Sequence, residues 1–181
     1  MFLLVLSFLT GCGSVKSDMD PGMMIRKKLS EGSGCSFHAV ITADYSDKIY
    51  TFAMDCHVDE SGKLTFTVTD PNTISGISGT ISESGAGLTF DDKVLAFEML
   101  ADNMISPVIS PWLLIRSLYG GYISGYSQDA ENYCIHIDDT FQGENLLTLV
   151  WVDRGLIPKQ AEFLYNGKRI LSLSVTNFVI L

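Results

Sequence analysis

The chain has 181 residues, of which 46% are hydrophobic and 18% charged, a balance that excludes a disordered chain or a coiled coil. Twelve Lys and Arg against 21 Asp and Glu give a net charge of −9, which argues against a nucleic-acid partner and against electrostatic binding to anionic lipid. The length suits one domain, and 10% aromatic residues favour a β-rich core.

The first segment, Met1–Gly11, is apolar and uncharged and stands directly before a cysteine. It is too short to span a bilayer and fits the apolar part of a secretory signal peptide. Leu9-Thr10-Gly11-Cys12 resembles the lipobox of bacterial lipoproteins, which implies cleavage after Gly11 and a diacylglycerol anchor on Cys12. The alternative is a chance apolar start with a stray cysteine. Residues 12–22 are small, polar and turn-forming, so we expect a tether there.

Residues 23–181 are expected to form a single domain that starts with a short helical pattern at Met24–Leu29. Alternating apolar residues then predict strands at Cys35–Ala43 and Tyr50–Cys56, joined by a turn about Tyr45-Ser46.

In that hairpin register Cys35 lies opposite Cys56, on the face that carries the aromatic residues. Three cysteines remain besides Cys12, so an extracytoplasmic chain must leave one thiol unpaired. We expect a Cys35–Cys56 disulfide and a free Cys134. The alternative is two neighbouring buried thiols without a bond, because directly opposed cross-strand pairs are often strained. A slip of one residue in register would place the two cysteines on different faces.

The rest of the chain alternates between strand patterns and turn residues, with one helical interruption. Phe97 to Met104 has helical spacing, residues 122–129 form a Gly/Ser/Tyr-rich loop, and Asn166-Gly167 is a strong hairpin signal. Strands are predicted at residues 64–68, 74–81, 88–90, 94–97, 133–139, 146–152, 159–165 and 169–178. The total is nine or ten antiparallel strands.

A well-marked helix is predicted over Ser110–Gly120, with Ser110 as N-cap, Pro111 at the first helical position and Gly120 at the end. Its side chains are apolar on more than one side, which a helix lying on a single sheet does not require. The pattern indicates a cavity wall, a membrane-facing lid or plain core packing.

The order of these elements resembles the outer-membrane lipoprotein carrier superfamily, the LolA/LolB-type fold. The resemblance is carried by Leu64-Thr-Phe66-Thr-Val68-Thr-Asp-Pro71 running into a Gly-rich strand, a helical insert, and four strands of which the third opens with Ile157-Pro158-Lys159. It implies a mainly β fold, an antiparallel half-barrel closed by short helices, with an apolar cavity for acyl chains and no enzymatic activity.

A half-barrel of this kind needs an apolar cover over its concave face. We expect the ligand-binding wall on strand faces and the lid on the 110–120 helix. The predicted ligand-binding residues are Phe37, Ile41, Phe52, Met54, Phe66, Val68 and Trp151 in the wall, and Trp112, Leu114 and Leu118 in the lid.

The sequence carries no recognised catalytic or nucleotide-binding motif. His136 and Asp138 could share a strand face, but two ligands do not make a metal site, so we expect no metal and no cofactor. The chain is therefore expected to be a membrane-anchored, extracytoplasmic lipoprotein that is not an enzyme. Its expected partners are a lipid or acyl chain and the membrane through Cys12, and a second envelope protein is a further candidate. The alternative is a structural or interaction lipoprotein with a filled core.

Overall fold

The computed structural model describes residues 19–46, 48–90, 93–97, 100–101 and 104–181. The predicted signal segment, most of the predicted tether and Cys12 lie outside the described residues. None of the helices in these ranges is long and apolar enough to cross a bilayer.

The described chain contains two α-helices, one short 3-10 turn and thirteen strands. The helical elements are α1 (Pro21–Glu31), the 3-10 turn (Pro107–Ile109) and α2 (Ser110–Gly120). The strands are β1 (Gly34–Asp44), β2 (Ile49–Asp59), β3 (Leu64–Asp70), β4 (Ser78–Ser82), β5 (Gly85–Phe90), β6 (Lys93–Phe97), β7 (Leu100–Ala101), β8 (Met104–Ile105), β9 (Tyr122–Gln128), β10 (Asn132–Phe141), β11 (Glu144–Asp153), β12 (Pro158–Tyr165) and β13 (Lys168–Ile180).

Eleven of these strands form one open antiparallel sheet, in the order β6-β5-β4-β3-β2-β1-β13-β12-β11-β10-β9. The chain runs outward from β1 to one edge, crosses over, and returns inward from β9 at the other edge until β13 pairs with β1. The crossover carries α2. The predicted antiparallel half-barrel with helices is thus confirmed.

The sheet has one buried face because apolar residues recur at every second position. In β1, Phe37, Ala39 and Ile41 are buried, whereas the alternate positions Ser36 and His38 are partly exposed. We call the buried side the inner face and the opposite side the outer face. Most of the core comes from the inner face and from α2.

Helix α2 starts after the 3-10 turn, so its N-terminus differs from the predicted one. Ile109 is the N-cap, and the Ser110 hydroxyl donates to the Pro107 carbonyl at 2.8 Å instead of capping the helix. Pro111 does occupy the first turn, as predicted. On the inner face, the Ser117 and Thr148 hydroxyls are hydrogen-bonded at 3.1 Å, and both side chains are fully buried. This buried pair fixes the rotation of α2 over β11.

Helix α1 begins with an N-cap and packs against α2. The Asp20 carboxylate accepts a hydrogen bond from the Gly22 amide at 2.7 Å. The Arg26 guanidinium donates to the Leu118 carbonyl at 2.8 Å and the Gly121 carbonyl at 2.5 Å. A cation at the C-terminal end of a helix satisfies its free carbonyls and its dipole, so Arg26 holds the two helices together.

Three predicted elements are wrong. The apolar run at 97–104 is not a helix, because Lys93–Phe97, Leu100–Ala101 and Met104–Ile105 are strands; short apolar runs do not distinguish the two structures by spacing. Residues 72–76 form turns, so β4 begins only at Ser78. The predicted loop at 122–129 is strand β9, an edge strand in which exposed and partly exposed side chains alternate over the first five positions and none is buried.

The predicted cysteine pairing is also corrected. The β1–β2 hairpin places Cys35 opposite Val58 and Cys56 opposite Phe37, two residues away from the predicted register. Because the shift is even, both thiols stay on the inner face, but as diagonal neighbours instead of a directly opposed pair. Cys35, Cys56 and Cys134 are all free thiols.

Candidate functional site

A groove of about 600 Å³ runs along the side of α2 on which Arg116, Tyr119 and Gly120 reach solvent, and we call it the α2 groove. Helix α2 forms the floor and one wall. The opposite wall is formed by the turns that join β2 to β3 and β4 to β5. Its lining residues are Glu60, Ser61, Gly62, Lys63, Ser82, Glu83, Ser84, Trp112, Ile115, Arg116, Tyr119, Gly120 and Asp139.

The floor of the α2 groove is apolar because it is made by one flank of an apolar helix. Trp112, Ile115 and Tyr119 succeed one another at intervals of three and four residues, which places them along the same side of α2. The Trp112 ring packs edge-on against Phe141, with ring centroids 6.5 Å apart. The Tyr119 hydroxyl donates to the Leu29 carbonyl of α1 at 3.1 Å. The floor is therefore held rigidly by its own packing.

Arg116 ties the two walls of the α2 groove together. Its guanidinium lies 2.5 Å from the Asp139 carboxylate and 3.0 Å from that of Glu83. It also lies 5.8 Å from the centroid of the Trp112 ring, a cation–π distance. Two carboxylates already neutralise this cation, so it does not offer an open site for an anionic head group.

The turn between β2 and β3 is organised by Asp59. Its carboxylate accepts hydrogen bonds from the Ser61 hydroxyl at 2.6 Å, the Ser61 amide at 2.9 Å and the Lys63 amide at 3.1 Å. These bonds hold the pKa of Asp59 below its ordinary value, and the bond from the Ser61 hydroxyl has the largest effect. The groove wall is thus a preformed turn.

The predicted wall and lid residues fall into two groups. Phe37, Ile41, Phe52, Met54, Phe66, Val68, Trp112, Leu114 and Leu118 are all buried in one core cluster. Only Trp112 among them also lines the α2 groove. The remaining eight fill the interior between sheet and helix with their own side chains.

Trp151 is placed on the wrong face by the sequence prediction. In β11 the buried positions are Leu146, Thr148, Val150 and Val152, and Trp151 alternates with them. It is therefore on the outer face, beside Cys134 of β10. The alternation of β11 divides its residues into two sets but does not show which set faces the core. The large apolar side chain of Trp151 favours assigning its set to the core, and that assignment is wrong.

Of the twelve groove residues that were not predicted as site residues, four lie on α2: Ile115, Arg116, Tyr119 and Gly120. All belong to the helix that the sequence marked, and Arg116 is its single charged residue. An arginine inside an otherwise apolar helix indicates a place where the helix reaches solvent. That signal could have located the exposed flank.

The cysteines are not arranged for nucleophilic chemistry. Burial raises the pKa of Cys35 to about 12, and burial, followed by the negative charge of Asp55, raises the pKa of Cys56 as well. Such thiols stay protonated and unreactive at neutral pH. Within the described ranges, no three His, Cys, Asp or Glu side chains converge as metal ligands.

No protein-family profile and no curated protein matches the chain. Among solved structures it is similar to a LolA superfamily protein from Nitrosomonas europaea (9% identity, TM-score 0.45, covering 88% of this chain and 93% of that one). It is also similar to an uncharacterised conserved protein from Thermus thermophilus, with 12% identity and a TM-score of 0.49, over 88% of this chain and 86% of that one. A third similar structure is the lipoprotein LppX from Mycobacterium tuberculosis, with 13% identity and a TM-score of 0.42, over 87% of this chain and 92% of that one. The chain itself is an open antiparallel half-barrel with α2 in the crossover between its two edges.

Proposed function

We propose that this protein is a membrane-anchored, extracytoplasmic lipoprotein that binds a hydrophobic ligand, an acyl chain or a lipidated partner, without catalysing a reaction. The observation that carries the proposal is the α2 groove. Its volume of about 600 Å³ lies in the range of about 300–1,000 Å³ that small-molecule sites occupy. The site is thus moved from the interior, where we expected it, to the flank of the helix.

The chemistry of the α2 groove suits an acyl chain with an uncharged head group. Tyr119 is partly exposed and gives the acyl chain most of its apolar contact, because Trp112 and Ile115 are only 3% and 1% exposed. Each CH₂ of the chain that is removed from water contributes about 0.8 kcal/mol. The rim carries three carboxylates, Glu60, Glu83 and Asp139, and two cations, Lys63 and Arg116, of which Arg116 is already paired with Glu83 and Asp139. An anionic head group finds little compensation there.

The two tryptophans allow a direct test, because Trp112 lies in the groove and Trp151 lies on the outer face. The full chain, reconstituted in phospholipid vesicles, is titrated with a brominated monoacylglycerol. Bromine quenches tryptophan fluorescence on contact. We expect quenching in Trp151→Phe, which retains Trp112, and none in Trp112→Phe, which retains Trp151. Equal quenching in both variants, or in neither, contradicts the proposal.

A variant that fills the groove completes the test. A Cβ added at Gly120 meets no atom within 4 Å, so Gly120→Leu is free to project into the groove while adding a better helix former. We expect it to abolish the quenching of Trp112 without lowering stability. Gly125→Leu is the matched control, since Gly125 is equally open but lies on β9, away from the groove.

The anchor is tested separately with Cys12→Ala. We expect this change to release the protein from the membrane fraction or to leave it as an uncleaved precursor, because no thiol remains for the diacylglycerol. Processed protein that stays in the membrane fraction contradicts the lipobox interpretation but leaves the α2 groove experiment intact.

A second candidate function is favoured by the filled interior. Eight of the ten predicted ligand-binding residues pack against one another on the inner side, as in an ordinary core. A structural or interaction lipoprotein needs no more than that. This function is preferred if the brominated probe does not reach Trp112.

A further inference from the structure

The outer face carries an ordered polar surface across β1 to β4. Two rows of side chains run perpendicular to the strands, because the register places polar residues directly opposite one another. One row is Ser36, His57, Thr65 and Thr80; the other is His38, Asp55, Thr67 and Ser78. Neighbours within a row are spaced by the distance between strands, about 4.8 Å.

Two hydrogen bonds already join side chains within these rows. Ser36 and His57 are linked through their hydroxyl and Nδ1 at 3.0 Å, and His38 Nδ1 lies 2.7 Å from the Asp55 carboxylate. The Thr65 hydroxyl donates to the His57 carbonyl at 3.3 Å. The side chains are therefore held in place before any ligand arrives.

A β-bulge adds an amide at the side of the rows. The register between β1 and β13 shifts between Ser36 and His38, where β13 has one extra residue. Asn177 lies in this bulge with a left-handed backbone (φ 53°), which is uncommon for a residue other than glycine within a strand. The bulge brings Asn177 into the lining of a concave surface, which we call the outer-face groove.

The outer-face groove has a volume of about 630 Å³ and carries one charged side chain, Asp55, apart from its two histidines. Its polar side chains supply hydroxyls, two imidazoles, an amide and a single carboxylate, and no Lys, Arg or Glu lines it. Between the two polar rows it is also lined by Phe37, Cys56, Phe66 and Gly79. Without a cation it does not favour an anion. The backbone groups of β1 to β4 are paired within the sheet, so a peptide strand finds no free edge there.

We propose that the outer-face groove binds a neutral saccharide. Sugar hydroxyls each donate and accept, and the closely spaced hydroxyl, imidazole, amide and carboxylate groups of the groove offer both functions. The groove has the volume of a small-molecule site. This inference does not depend on the α2 groove, which lies on the helix side of the sheet.

The test titrates the purified full chain with two neutral oligosaccharides, maltotriose and triacetylchitotriose, followed by saturation-transfer-difference NMR. The detergent must have a head group that is not a sugar, since an alkyl maltoside would compete. We expect at least one of the two saccharides to bind. The double variant Thr65→Val with Thr67→Val keeps the shape and removes two hydroxyls, so its affinity should fall about tenfold.

Two further variants separate binding from structure. Thr42→Val with Thr51→Val is the matched control: these residues face each other at 3.4 Å on the outer face but lie outside the groove, and binding should be unchanged. Asn177→Gly removes the amide while tolerating the left-handed backbone, and should lower affinity about threefold with unchanged unfolding. Absence of binding for both saccharides, or an unaltered affinity in the Thr65/Thr67 variant, overturns the proposal.

Discussion

The two faces of the sheet are built from the same strands yet differ in what they do. In β2, Met54 and Cys56 are buried on the inner face, while Asp55 and His57 between them reach solvent on the outer face. The inner face is filled by its own side chains and α2, so it provides stability. Both grooves lie elsewhere, one on the flank of the helix and one on the polar outer face. Burial by itself therefore does not indicate where a ligand binds.

The strongest way to break this comparison is a charge on the inner face. Leu118 is 1% exposed, so Leu118→Glu buries an unpaired carboxylate and should lower the free energy of unfolding by at least about 4 kcal/mol. Tyr122→Glu, at a position 73% exposed, is the control and should change little. Chemical denaturation measures both. A folded Leu118→Glu of near wild-type stability would mean that Leu118 borders an open cavity.

The buried Ser117–Thr148 pair sharpens the comparison, because it is a polar contact on the apolar face. Ser117→Ala leaves the Thr148 hydroxyl without this partner and should cost about 2 kcal/mol. Adding Thr148→Val removes the orphaned hydroxyl and should restore most of the loss. Urea unfolding of the two single variants and the double variant measures the coupling; simple additivity would show that the bond does not form.

The attachment of α1 to α2 is expected to have a smaller effect. Arg26→Met removes the hydrogen bonds to the C-terminal carbonyls of α2 and should cost about 1 kcal/mol. Lys27→Met, one position along, changes an exposed side chain whose ion pair with Glu31 spans 3.8 Å and should be neutral. Equal thermal stability of the two variants would contradict the capping role of Arg26.

The smallest expected effect is on the pH dependence of stability, through Asp59 in the β2–β3 turn. The pKa of Asp59 is lowered in the folded protein, so the carboxylate contributes stability above the ordinary carboxyl pKa of about 4. That contribution disappears as the pH falls through the lowered value. Asp59→Asn should be slightly less stable than the wild type at pH 7, and the difference should vanish in acid. A difference independent of pH would assign the effect to shape instead of charge.

The helix and strands with strong periodicity could be predicted from the sequence. Pro111 and the apolar run after it located α2, and the alternation in Cys35–Ala43 and in Leu64–Val68 located β1 and β3. The edge strand β9 was missed because its Gly and Ser residues are typical of a loop and none of its side chains is buried. The apolar run at 97–104 was misassigned because four apolar residues are too few to distinguish the helical period of 3.6 residues from the strand period of two.

The sequence by itself determined which residues are apolar at which period, and hence that a mainly β half-barrel with one marked helix would form. It did not determine the hairpin register, in which Cys35 lies opposite Val58 and not opposite Cys56. The length of the turn decides the register, whereas the alternation of apolar residues fixes only whether the shift is even or odd. The inner or outer face of Trp151 depended in the same way on neighbouring strands. Both grooves arise only in the tertiary structure, since they join side chains from distant turns, strands and a helix that no local pattern connects.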